Sequence, residues 1–189
     1  MKEYEFLSHK IDLNFFEECI KELKNPCGIS LEVGVLRGGS SKLIIENYKK
    51  IHNSLLHFHI GVDHYPSRPA TEDRIILQKT IADNKDDNFV FVYMPIEIYM
   101  EKFIDGYPLY FNSKKIETFY YDLVHLDGPN KMNLVLKQLN FFSERINKNG
   151  FIILDDIDTL NIELINNYMG HLNFKNFKKG TKKIIYQKK

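Results

Sequence analysis

Apolar side chains in this chain recur in two rhythms that alternate from end to end. Between Leu13 and Lys24, the residues Leu13, Phe16, Ile20 and Leu23 fall at helical spacing, with Asp12 placed to cap the helix and "NPCG" to end it. "GISLEVGV" is then a nearly continuous apolar run of strand length, the pattern of a strand covered on both faces of a parallel sheet. After "LRGGSS" the segment "KLIIENYKKI" returns to helical spacing, with Ser40 or Ser41 as its expected cap. The alternation continues through strand "LLHFHIGVD", which ends in Asp63, and helix "TEDRIILQKTIADN", with Thr71 as cap. Strand "NFVFVYM" and helix "PIEIYMEKFI" follow, with Pro95 suited to the first helical turn.

About a dozen residues around "DGYPLYFNSKK" break the rhythm and are expected to form a surface insertion or lid. Its Tyr107, Tyr110 and Phe111 either close over a substrate or anchor the loop. Strand "FYYDLVHLDG", the long amphipathic helix "NKMNLVLKQLNFFSERI", a turn at Asn149-Gly150 and strand "FIILDD" come next. Helix "TLNIELINNYMG" leads to a closing hairpin made of "HLNFKNF" and "TKKIIYQ". Strand and helix alternate five times before that hairpin. The pattern predicts an α/β sandwich with a mostly parallel sheet and an antiparallel edge. A single domain is expected over residues 1–189, with an N-terminal helical segment (1–27) and a core (28–189).

Composition narrows the partners. A chain of 189 residues buries one core without help from disulfides. Twenty-six basic and 25 acidic side chains leave a formal charge of +1, which argues against a strongly electrostatic nucleic-acid binder. The basic tail "FKNFKKGTKKIIYQKK" reads as a solvated hairpin. Cys19 and Cys27 fit no metal-ligand or CxxC spacing and read as reduced thiols. The charged N-terminus lacks a secretory core, and no apolar run approaches a membrane span. A cytoplasmic location without a membrane partner is therefore expected, and helices or the hairpin edge leave room for a homodimer.

Open parallel sheets bind ligands beyond the carboxyl ends of their strands, where the strand order reverses. That rule points to "LEVGVLRGGSS". A G-x-G-x-x-G fingerprint needs glycine two places after Gly34, but Leu36 stands there. Gly34 and Gly39 have the spacing of a phosphate-binding loop, yet Ser40 follows where that loop carries lysine. "LEVGVLRGGSS" followed by "GVD", with "LVHLDG" and "NGFIILDD" downstream, closely resembles the class I S-adenosylmethionine-dependent methyltransferases over roughly residues 28–160.

The resemblance implies a Rossmann-like, seven-stranded, mostly parallel sheet with an antiparallel C-terminal hairpin and helices on both faces. It also implies S-adenosylmethionine as cofactor. Glu32 is then expected near the sulfonium and amino group. Gly34, Arg37, Gly38 and Gly39 line the turn where backbone approaches the ligand, and Ser40 opens a helix N-terminus able to receive its carboxylate. Asp63 is expected at the ribose hydroxyls, with His64 bordering cofactor or substrate. Glu32 alternatively forms a salt bridge, with Arg37 as a candidate partner. Just after its third strand the family carries a polar or acidic residue; here the sequence is "YMPIE", in which Met94 and Ile96 either sandwich the adenine or pack in the core.

Asp127 ends the fourth strand, and Asp155 and Asp156 end the fifth. Three unpaired carboxylates in one place repel and raise one another's pKa, which a hard cation such as Mg²⁺ relieves. The trio resembles the metal site of catechol-type O-methyltransferases, and "LDG" with "ILDD" also resembles the sugar and macrolide O-methyltransferases. The implied reaction is metal-assisted methyl transfer to a hydroxyl of a small acceptor, a sugar or glycoside. Asp155 or Asp156 alternatively caps the next helix. Related sugar enzymes carry "DGDH", whereas "DGPN" here puts Pro129 and Asn130 in those places; Lys131 becomes the candidate base, with Asp127 beside it. His125, inside a strand, is expected to be packed or hydrogen-bonded. The alternatives are an RNA or protein methyltransferase, or a cofactor-binding module without turnover.

Overall fold

The computed structural model describes residues 11–53, 55–64, 71–84 and 88–189; residues 1–10 of the expected N-terminal segment and the side chain of Thr71, the expected cap, lie outside them. In chain order the elements are α1 (Asn14–Glu22), β1 (Ile29–Val33), α2 (Gly39–Ile51), β2 (Phe58–Asp63), α3 (Thr71–Asp83) and β3 (Phe89–Tyr93). They continue with α4 (Ile96–Lys102), β4 (Tyr107–Phe111), β5 (Lys114–Thr118), β6 (Tyr121–Leu126) and α5 (Met132–Ser143). β7 (Ile146–Leu154), a 3₁₀ turn (Ile157–Thr159), α6 (Ile162–His171), β8 (Phe174–Lys179) and β9 (Ile184–Lys188) complete the chain.

Seven strands form one sheet in the order β3-β2-β1-β6-β7-β9-β8. The pairs from β3 through β7 are parallel, and β9 and β8 close the sheet antiparallel. This is the expected seven-stranded sheet with its C-terminal hairpin. β1 is buried along its whole length, as its run of apolar residues requires, because helices cover both faces. On one face α4, α5 and α6 pack Tyr99, Leu139 and Met169 against Leu31, Val124 and Leu154. On the other, α1 and α2 pack Phe16, Ile20 and Tyr48 against Leu123, Phe151 and Ile153.

Several local expectations are corrected. The segment around "DGYPLYFNSKK" is the surface insertion of the two alternatives, but an ordered one, a separate hairpin β4–β5 turning at Asn112 and Ser113 with positive φ. Phe111 meets Phe58 edge-on at 6.1 Å, at the amino end of β2, so the hairpin sits at the sheet edge opposite Asp63. Asn149-Gly150 is not a turn before the fifth strand: β7 runs through it, with Asn149 at φ +65 and a register shift against β6. Asp12 does not cap α1; its carboxylate accepts from the backbone of Lys182 and Lys183 across the molecule. Gly38, not Ser40 or Ser41, is the N-cap of α2, in a left-handed conformation.

Candidate functional site

β1 has β2 on one side and β6 on the other, so the strand order reverses at β1, the place where an open parallel sheet offers a crevice beyond its carboxyl ends. A cavity of about 260 Å³ opens there, just under the roughly 300–1,000 Å³ typical of small-molecule clefts. Gly34 lines it after β1, Asp63 at the end of β2 with His64 just beyond, and Gly128 and Pro129 after β6. Met94, Ile96 and Glu97 supply the wall at the start of α4.

The two loops cross in contact. Gly34 has φ +86, and a Cβ on it would collide with the carbonyl of Asp127. The Asp127 N–H donates to the Val33 carbonyl at 2.8 Å, which fixes that approach, and only glycine meets both demands. Leu36, two residues on, adopts φ +49 without being glycine. Asp63 holds it there: Oδ2 accepts from the N–H groups of Val35 at 2.9 Å and Leu36 at 2.8 Å, and Oδ1 from His64 N–H at 2.6 Å. A carboxylate offers about four lone-pair sites. The ribose clamp implied by the resemblance would thus share Asp63 with the turn.

Glu32 lies beneath this turn and is fully buried. The hydroxyls of Ser40 and Ser41 donate to its two oxygens, His125 Nδ1 lies 2.8 Å from Oε1 and His59 Nε2 lies 3.7 Å from Oε2. Burial alone would raise this carboxyl, but the two histidines prevail and hold it well below its usual range. Glu32 and Ser40 therefore tie the first turn of α2 to β6, inside the protein and not on the cavity wall. Arg37 and Gly38 meet α3: the Arg37 carbonyl accepts from Thr80 Oγ1 at 2.9 Å, and a Cβ on Gly38 would fall 2.7 Å from Thr80 Cγ2. Gly39 is buried at the start of α2.

The acidic trio is brought together differently from the sequence reading. His125, Asp127 and Asp155 place ligand-type atoms within 4.8 Å of one another. Asp156 is directed elsewhere: it has φ +49, and its Oδ2 accepts from Asn130 Nδ2 at 3.0 Å, joining the loops after β6 and β7. Asp155 Oδ2 is ion-paired with the buried Lys183 ammonium and lies 3.6 Å from His125 Nε2. Burial would lower the His125 imidazole, but the carboxylates of Asp155 and Glu32 hold it up at about 9. Burial would raise Asp155, but His125 and Lys183 hold it well below the ordinary range.

Asp127 has the opposite fate. Its carboxyl has no hydrogen bond among the described residues, and burial raises it to about 7, with Asp155 and Glu32 adding to the rise and His125 and Lys183 opposing it. Lys131 is exposed at the N-cap of α5 and is not among the residues that line the cavity. Mg²⁺ prefers six oxygen ligands in near-octahedral array. One carboxylate here carries an ammonium, another faces a different loop, and the third ligand would be an imidazole, so the residues do not fit that ion.

Glu97, Ser41 and Lys183 were not anticipated as site residues. Glu97 is the acid of "YMPIE" and had a sequence signal; Lys183, in a run of lysines before the last strand, had none.

The sequence matches no protein-family model and no curated protein. Solved structures share its fold. A precorrin-6y C5,15-methyltransferase from Geobacter metallireducens matches with a TM-score of 0.62 at 12% identity, over 98% of this chain and 91% of that one. A TDP-rhamnose 3'-O-methyltransferase of calicheamicin biosynthesis matches at 0.61 and 13%, over 93% and 78%. A ribosomal-protein methylase from Lactobacillus delbrueckii subsp. bulgaricus matches at 0.53 and 12%, over 91% and 74%. The chain has the Rossmann-like fold of the class I S-adenosylmethionine-dependent methyltransferases, and a sugar O-methyltransferase is among the structures it resembles.

Proposed function

We propose that this chain binds S-adenosylmethionine in the cleft between the ends of β1 and β6 and transfers its methyl group to a hydroxyl of a small acceptor such as a sugar or glycoside. The observation that carries this reading is the convergence of Gly34, Asp63, His64 and Met94 on one cavity, with Gly128 and Pro129, the residues that directly follow Asp127, completing its lining. When bound, the cofactor supplies an electrophilic methyl group on a sulfonium. Gly34 lets backbone approach without a side chain, and Asp63 offers its remaining lone pair to a ribose hydroxyl. Met94 and Ile96 give the base an apolar wall. Asp127 takes the acceptor's proton: as the new O–C bond forms and the S–C bond breaks, the O–H proton passes to its carboxylate. A carboxyl raised to about 7 is matched to that task near neutral pH. No step requires Mg²⁺ or Lys131. The near-balanced charge favours a small acceptor over RNA.

Calorimetric titration with S-adenosylhomocysteine tests the reading, followed by a screen of nucleotide sugars and glycosides for methyl acceptance. Saturable binding is expected, weakened about tenfold or more in Asp63→Ala, the size of a lost hydrogen bond to a charged group. A wild-type chain that binds neither S-adenosylhomocysteine nor S-adenosylmethionine overturns it.

A further inference from the structure

We propose that Lys183 is a tethered cation that fills, from within the chain, the place a divalent ion would take at the carboxyl edge of this sheet. Lys183 directly precedes β9, and the register that pairs Leu154 with Ile184 sets it opposite Asp155. Its ammonium is ion-paired with Asp155 Oδ2, and the two side chains are only 5% and 4% exposed. The face of Phe16 lies 5.8 Å away. A lysine buried this deeply requires a partner, and Asp155 is that partner.

The backbone around Lys183 is held from several sides. Asp12 Oδ2 accepts from the N–H groups of Lys182 at 2.8 Å and Lys183 at 3.2 Å. Ile157 N–H donates to the Lys182 carbonyl at 3.1 Å, and Gly180 N–H to the Lys183 carbonyl at 2.8 Å. A side chain on Gly180 would collide with the Asp12 carboxylate. The turn that carries the lysine is thus pinned by the segment before α1 and by the loop after β7.

Acid and base alternate along the edge. Glu32 on β1, His125 on β6, Asp155 after β7 and Lys183 before β9 form a row in which each carboxylate has a basic neighbour. Asp127 stands beside the row with no hydrogen bond to its carboxyl among the described residues. A divalent ion placed there would meet one available carboxylate and an ammonium in contact range, and repulsion between like charges is strong where water is scarce. Lys183 therefore neutralises Asp155 without an exchangeable ligand and leaves Asp127 out of that ion pair.

The test is titration of the metal-free chain with Mn²⁺, followed by electron paramagnetic resonance and calorimetry, for wild type, Asp155→Asn, Lys183→Met and Lys183→Gln. Wild type is expected to show no saturable site. Whichever lysine variant folds, judged by circular dichroism, is expected to gain a saturable Mn²⁺ site, since removing one cation at contact distance shifts such an equilibrium about tenfold or more. Saturable wild-type binding that Asp155→Asn abolishes overturns the proposal, and this arm stands even if neither lysine variant folds. Folded lysine variants that gain no site overturn it as well. The titration reads no methyl transfer, so its outcome is independent of the proposed reaction.

Discussion

Asp122 and Asp127 stand at opposite ends of β6, and they meet very different surroundings. Asp122, 1% exposed, accepts from the backbone N–H groups of Cys27 at 2.9 Å, Gly28 at 2.7 Å and Ile29 at 3.4 Å, and from Asn147 Nδ2 at 2.8 Å. It ties the beginnings of β1 and β7 to β6. Asp127 meets no such donor among the described residues, and burial lifts its pKa to about 7. The same residue type thus serves the fold at the end of the strand where donors surround it, and at the other end is the group to which the proposed reaction gives the proton.

The sharpest way to break this contrast is Asp127→Asn. Methyl transfer is expected to fall by roughly 10²–10⁴, the usual contribution of a positioned acid or base, while urea unfolding shows equal or greater stability. A fully active Asn variant would remove Asp127 from the mechanism. Next comes Asp122→Ala, expected to lower the unfolding free energy by about 3 kcal/mol through buried donors left unpaired, with activity per folded molecule unchanged. Gly34→Ala, at the crossing of the two loops, is expected to cost about 2 kcal/mol and to weaken S-adenosylhomocysteine binding.

The two ends also differ with pH. Because the folded Asp127 pKa of about 7 exceeds its ordinary value of 3.8, the native state holds a proton that the unfolded chain has released between those values. Stability is therefore expected to fall as pH rises from about 4 to about 7, and Asp127→Asn should flatten this arm in a series of denaturant melts. His125, raised to about 9, contributes stability fully below its ordinary 6.5 that is lost as pH climbs through 9. The smallest expected effect is Leu36→Gly, which relieves a left-handed non-glycine residue and should raise stability by about 1 kcal/mol in a thermal melt.

Much of this fold was legible because the parallel strands are covered on both faces, so "SLEV", "FHIGV" and "FIIL" sit in nearly continuous apolar runs of strand length. The β4–β5 hairpin was not: "YPLYF" and "KKIET" form an isolated pair whose β4 is half exposed, so its pattern resembles a loop. Asp63 and Gly34 were readable because strand ends and a tight turn leave local marks. The fate of Asp156 was not, since it depends on Asn130 across a loop. Lys183 and Asp155 are 28 residues apart and meet only through antiparallel pairing of β9 with β7, a long-range fact that no local spacing encodes.

Gly34 and Gly128 face each other's loops so closely that a methyl on the first would strike Asp127 and one on the second would press Val33 Cγ1 at 2.9 Å. Attempts to evolve new acceptor preference by diversifying that seam would mostly yield broken proteins. Productive libraries should instead target Glu97 and Pro129, exposed residues of the lining, where altered side chains can change the mouth without prying neighbouring strands apart.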